Sequence, residues 1–269
     1  MQGKAGEHLP RVWASMDTRF SRGQLALVAA GPGVGKSAFM LNYALKSGVS
    51  CLYFSADSDA SVQVSRSLAI LGGLTMQDAV SLSKSGDTKR ILELTGSSPV
   101  RFNYSSSPTL EEIEGDVLAY EELYGCYPQL IVIDNAMDVE LGIDADQSQS
   151  LDSLMAWLHD LARKTQACVV ALHHVTGPYN NSDTPIPLSG IKGQIGRVPE
   201  LILTLHKGLG EYGQPDELRV STVKNRGQKA DPSGETYTPL AFDGYRMSIK
   251  DIDNYGRFDP WAKNDARTV

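Results

Sequence analysis

A short apolar run, Leu25 to Ala30 (LALVAA), leads without a break into Gly31-Pro32-Gly33-Val34-Gly35-Lys36-Ser37, and this junction constrains the fold more than any other part of the chain. A continuous apolar run that ends at glycines reads as a strand buried on both faces. A helix is predicted to start at about Lys36 and run to about Lys46. Strand, glycine-rich turn, GKS and helix match the phosphate-loop pattern GxxxxGK[ST], except that Ala30 takes its first position. Each part has a chemical reason. The glycines let backbone N–H groups wrap a polyphosphate, and the helix N-terminus adds its dipole. Lys36 is placed to neutralise the outer phosphates, and Ser37 to ligate Mg²⁺. The expected contacts are Gly31, Pro32, Gly33, Val34, Gly35, Lys36, Ser37 and Ala38. The alternative is a glycine-rich turn with a chance GKS.

The rest of the chain repeats the alternation. Ser50–Ser55, Leu130–Ile133 and Ala167–Leu172 read as further buried strands. Residues 60–95 read as helical, with breaks at Gly72-Gly73 and Gly86. Pro108-Thr109 opens a helix with a Thr109/Glu112 capping box, and Leu110, Ile113, Val117, Tyr120 and Tyr124 share one face. Another helix is predicted from about Ser148 to Lys164. Beyond residue 200 the pattern changes to strands at Leu201–Leu205, Leu218–Lys224, Thr236–Phe242 and Tyr245–Ile249, the last two joined by a two-residue turn at Asp243-Gly244. The expectation is an α/β fold: a mostly parallel central sheet flanked by helices, with an antiparallel C-terminal extension. Residues 1–20 are expected to form an arm or linker that packs on a neighbour, 21–249 the core, and 250–269 a weakly ordered tail.

Composition narrows the function classes. There are 25 basic and 32 acidic side chains, a net charge of −7, whereas a protein that coats duplex DNA non-specifically is usually basic. Nucleic acid would have to meet a local patch or channel. No apolar run approaches the ~20 residues that span a bilayer, and the polar N-terminus, broken by Pro10, does not read as a signal peptide. Cys51, Cys126 and Cys168 lie far apart and read as reduced core cysteines, so the expected location is cytoplasmic.

Ligands of such sheets bind at the carboxyl ends of the strands. Asp134 ends the LIVID strand and is the candidate Mg²⁺ carboxylate. Asn135 follows it, so the group that orients an attacking water must come from elsewhere. Asp57, two residues past the second strand, is the candidate, on a strand expected beside the first. Asp59 is the weaker alternative, and either could simply cap a helix. The fourth strand runs into His173 and His174. Adjacent strand residues point to opposite faces, so the pair is not a zinc site. His174 is the candidate sensor of the terminal phosphate, and His173 reads equally well as a packed residue.

Taken together these motifs resemble the RecA-like core of DnaB-type replicative helicases, with similarity to RepA-type and circadian-clock ATPases, over roughly residues 20–249. The resemblance implies ATP and Mg²⁺ as ligands. It aligns Phe54-Ser55-Ala56-Asp57-Ser58 with the family's FSLEM, whose glutamate is the catalytic base, so a shorter aspartate stands here. It aligns Leu172-His173-His174 with the family's LSQ, with His174 in place of the sensor glutamine. It aligns Val223-Lys224-Asn225-Arg226-Gly227 with the family's KxRxG segment, which implies that Arg226 is an arginine finger acting in trans and Lys224 its companion. On pattern alone that segment reads as an exposed basic turn.

The resemblance further implies a ring, usually of six subunits, around single-stranded DNA, with replication or recombination proteins as partners. The segment Asn135–Ser150 carries Asp138, Glu140, Asp144 and Asp146 and no base. Thr176–Arg197 is long and rich in Gly and Pro, and Lys192, Gln194 and Arg197 are its candidate DNA contacts, against a solvated loop. The resemblance therefore implies an ATP-driven helicase or translocase motor. The alternative is a RecA-fold ATPase that acts as a recombination mediator or assembly switch without unwinding, with a DNA-packaging ATPase as a third reading.

Overall fold

A computed structural model describes residues 6–141, 147–209 and 216–252. Among the described residues nine strands form one sheet in the order β3-β2-β4-β5-β1-β6-β7-β8-β9. The parallel part contains β3 (Val100–Asn103), β2 (Cys51–Ser55), β4 (Leu130–Asp134), β5 (Cys168–His173), β1 (Leu25–Ala29) and β6 (Leu201–Gly208). The antiparallel extension is β7 (Glu217–Asn225), β8 (Tyr237–Asp243) and β9 (Ser248–Asp251). The expected fold class is therefore the observed one.

Period-two alternation distributes β1 between two cores. Ala26 and Val28 pack with α1 (Lys36–Ser47), while Leu25, Leu27 and Ala29 pack with α5 (Leu110–Tyr124) and α6 (Gln147–Thr165). α1 ends at Gly48 in the left-handed conformation, and α5 starts with the expected Thr109/Glu112 capping box. α2 (Ala60–Gly72), α3 (Met76–Lys84) and α4 (Thr88–Thr95) form a small satellite cluster of their own. Residues 6–20 lie on the chain's own core. Leu9, Trp13, Met16 and Phe20 are buried, Trp13 stacks on Phe39, and Asp251 accepts bonds from the Ala14 and Ser15 amides. Nearly all of the 250–269 tail lies outside the described residues.

Three local expectations are corrected. β2 does not lie beside β1, because β4 and β5 stand between them. The β8–β9 connection is four residues, Gly244 to Met247, because Asp243 pairs with Ser248 and its carboxylate takes the Tyr245 and Arg246 amides. The strand β3 has no counterpart among the sequence expectations: Arg101 and half-buried neighbours make VRFN look polar, yet it pairs along the edge of β2.

Candidate functional site

The carboxyl ends of β1, β2, β4 and β5 open on one cleft of about 410 Å³, lined among others by Lys36, Ser37, Asp57, Asp134 and His174. The loop geometry explains the glycines. Gly35 has φ 120°, which a side chain would strain, and a Cβ on Gly31 would collide with the Asn180 carbonyl. The Gly31 amide donates to Ser182 Oγ at 2.8 Å, and the Ser182 carbonyl accepts from Lys207 N at 2.7 Å. Ser182 thus fastens the phosphate loop to β6, a role that no sequence signal announces.

Lys36 is 8% exposed, and its ammonium donates to the Ala30 and Gly31 carbonyls at 3.0 and 3.2 Å. Burial lowers its pKa, opposed by the carboxylates of Asp134 and Asp57. Asp134 is 3% exposed. Its two oxygens accept from Ser37 Oγ at 3.1 Å and Tyr53 OH at 2.8 Å. Burial pushes its carboxyl up, and those two bonds hold it down. Asp57 does not cap a helix. Its Oδ2 accepts from Asn135 Nδ2 at 3.1 Å, and the Asn135 side-chain oxygen accepts from Met137 N at 2.8 Å. Asn135, which as a non-acid carries no catalytic signal in the sequence, is therefore what orients Asp57. Asp59 is the N-cap of α2, accepting from Val62 N.

The two histidines part as strand geometry requires. His173 is fully buried, with Nε2 2.9 Å from the Lys192 carbonyl oxygen, and burial lowers its pKa to about 4. His174 lines the cleft. Burial, then Lys36 and Lys192, lower its pKa, so its ring is neutral at neutral pH. Three further cleft residues are missing from the sequence expectations: Arg66, whose guanidinium donates to Ser58 Oγ, and Phe242 and Met247 from the antiparallel extension. Gly35 faces the Phe242 ring.

Ser37 and Asp134 suit Mg²⁺. Both are oxygen donors side by side, and hard cations take oxygen ligands, with Mg²⁺ usually held by one or two carboxylates plus phosphates and waters. Among the described residues no cluster of three or more His, Cys, Asp or Glu side chains offers an all-protein cage.

Lys224 and Arg226 are elsewhere. Leu201 pairs with Asn225 at the start of β6, and the Arg226 amide donates to Glu200 O, while the Glu200 amide donates to Leu25 O. The basic turn therefore sits at the amino end of β1, and the phosphate loop at its carboxyl end. A five-residue strand is roughly 15 Å long, so Arg226 does not reach its own chain's cleft. Arg226 is exposed, whereas Lys224 donates to the Gly196 and Arg197 carbonyls at 2.7 and 2.9 Å. The long 176–197 segment is packed down by Ile186, Ile191 and Ile195, all buried. Lys192 is exposed, and the Arg197 side chain is 84% exposed, 3.9 Å from Asp152. The Gln194 side chain and residues Asp144 and Asp146 lie outside the described residues. No helix among the described residues is long and apolar enough to cross a membrane.

Comparisons with known proteins bear on the family and the fold. The family model described as an AAA domain matches residues 4–177. The Gene 65 protein of Mycobacterium phage L5 is 53% identical over 258 residues, 94% of this chain and 96% of that one. Its counterpart from Mycobacterium phage D29 is 53% identical over 233 residues, 86% of this chain and all of that one. Among solved structures, a DnaB-like replicative helicase described with its primase interactions superposes with a TM-score of 0.78 at 16% identity. That match covers 93% of this chain and 63% of the helicase chain. A second solved structure, described as an ATPase domain, superposes with a TM-score of 0.74 at 17% identity, covering 86% of each chain. The chain belongs to the AAA domain family, and its fold is the RecA-like ATPase core found in DnaB-type helicases.

Proposed function

We propose that this chain hydrolyses MgATP at the interfaces of a closed head-to-tail ring of its own copies, six by the resemblance to DnaB-type helicases, and that turnover moves the ring along single-stranded DNA. The observation that carries this reading is the separation of Arg226 from the cleft of its own chain. Arg226 can then serve only the cleft of a neighbouring copy, beside that cleft's own Lys36 and Arg66, and head-to-tail contacts close into a ring when the rotation between copies closes.

Each residue has a role in this reading. Lys36 exchanges the Ala30 and Gly31 carbonyls for phosphate oxygens. Ser37 and Asp134 would hold Mg²⁺, which when bound offsets charge on the phosphates. Phe242 and Met247 supply the apolar wall for the base. Asp57, held by Asn135, orients the attacking water and accepts its proton at a carboxylate oxygen. His174, neutral in the cleft, exchanges a hydrogen bond with the terminal phosphate. Arg226 of the neighbouring copy stabilises the charge that develops on the transferred group. Lys192, Gln194 and Arg197, repeated around the ring, meet the DNA backbone. Partners in replication or recombination follow from the same reading.

The test is ATP turnover with and without single-stranded DNA, for the native chain and for a Lys192→Glu, Arg197→Glu variant, with assembly checked by light scattering. A motor shows DNA-stimulated turnover that the variant loses while its basal rate persists. Turnover indifferent to DNA would leave the assembly-switch reading in its place.

A further inference from the structure

The turn that carries Arg226 is fastened to the base of the phosphate-loop strand by one residue outside the cleft. Glu200 immediately precedes β6 and brackets Leu25, the first residue of β1, on both sides. Its amide donates to Leu25 O at 3.0 Å, and its Oε2 accepts from Leu25 N at 3.0 Å. Its other carboxylate oxygen is 2.9 Å from His159 Nε2 on α6. Its carbonyl accepts from Arg226 N at 2.8 Å. Glu200 and His159 side chains are 19% and 23% exposed, so the junction is largely shielded from solvent.

Capping Leu25 N needs only one carboxylate oxygen. The second oxygen on His159 and the carbonyl on Arg226 join three elements at one point: helix α6, strand β1 and the basic turn. β1 is buried throughout and runs straight into the phosphate loop. Lys224 fixes the other side of the turn through the Gly196 and Arg197 carbonyls.

We infer that Glu200, oriented by His159, is a positioning residue that sets Arg226 at the angle required by the neighbouring site. The inference rests on the trans reading of Arg226 given above. A small misplacement of a catalytic group costs on the order of 10- to 100-fold in rate without changing substrate binding.

The experiment compares kcat and KM for ATP, in assemblies of verified size, for Glu200→Ala, Glu200→Gln, His159→Leu, Arg226→Ala and the Glu200→Ala, Arg226→Ala double variant. Glu200→Ala is expected to lower kcat about 10- to 100-fold with KM for ATP unchanged. Glu200→Gln, which still accepts from Leu25 N, restores most of that rate. The double variant is no slower than Arg226→Ala alone, because a misplaced finger and a missing one cost the same interaction. His159→Leu leaves the Leu25 cap intact and lowers kcat in the same direction by less, which keeps the test open if Glu200→Ala does not fold. If Arg226→Ala itself keeps full activity, the trans reading falls and takes this inference with it. If Arg226→Ala is inactive while Glu200→Ala or His159→Leu rings keep native kcat, or if the double variant loses the two effects in full, the inference alone is overturned.

Discussion

The two edges of the same sheet are built on opposite plans. At the carboxyl edge, strands β1, β2, β4 and β5 deliver Lys36, Ser37, Asp57, Asp134 and His174 to one cleft, and Lys36, Asp134 and Asp57 are held by hydrogen bonds inside it. At the amino edge the residues flanking the basic turn are already engaged. Lys224 is bound to two carbonyls, and Glu200 to Leu25 and His159, while Arg226 is exposed. At one edge the pocket's own arginine, Arg66, is bonded to Ser58, and at the other Arg226 is exposed, roughly a strand's length of 15 Å from that pocket. Under the proposed function neither edge is a complete site, and a second copy brings the two together.

Arg226 is the side chain whose removal costs most. Arg226→Ala is expected to lower kcat by about 10³-fold, as loss of an arginine finger does, with nucleotide affinity of the single chain unchanged. Steady-state turnover beside equilibrium binding of a fluorescent ATP analogue measures both. A matching loss of affinity would place Arg226 in its own chain's cleft instead.

Next, on the cleft side, Asp57→Asn should cost about 10²-fold in kcat, the usual worth of a positioned general base. Asp57→Glu should retain or raise the rate by restoring reach. Equal loss in both variants would mean that Asp57 serves only to anchor Asn135.

A third effect concerns the support beneath the cleft. Buried His173 has its pKa lowered from 6.5 to about 4, so the unfolded chain binds the proton first as pH falls. The stabilisation is full above pH 6.5 and is lost through the window from 6.5 to 4, by roughly 3 kcal/mol at most. Denaturant midpoints should fall over that range, and less steeply in His173→Gln. An unchanged slope in that variant would show that other groups carry the acid sensitivity.

The cleft is the legible half of the molecule. Phosphate loop, LIVID strand and Thr109 capping box are local patterns, and burial of the flanking strands follows directly from apolar runs such as LALVAA and ACVVAL. What periodicity does not encode is which strands become neighbours. The strand before Asp57 is expected beside the first, and instead Asp57 reaches the cleft because β4 carries Asn135 next to it. The packed 176–197 segment is equally opaque, because Ile186, Ile191 and Ile195 follow no regular spacing. Arg66, Phe242, Ser182 and Glu200 acquire their places only through contacts that the local pattern does not encode.

Mixing two inactive variants tests whether cleft and arginine meet between copies. Lys36→Ala has a ruined cleft and an intact Arg226, and Arg226→Ala the reverse. If the edges complete each other between copies, each variant alone is inactive, and an equimolar mixture regains turnover, with about one quarter of randomly formed head-to-tail interfaces complete. Mixtures that assemble yet stay as inactive as their components would rule out an active site shared between copies.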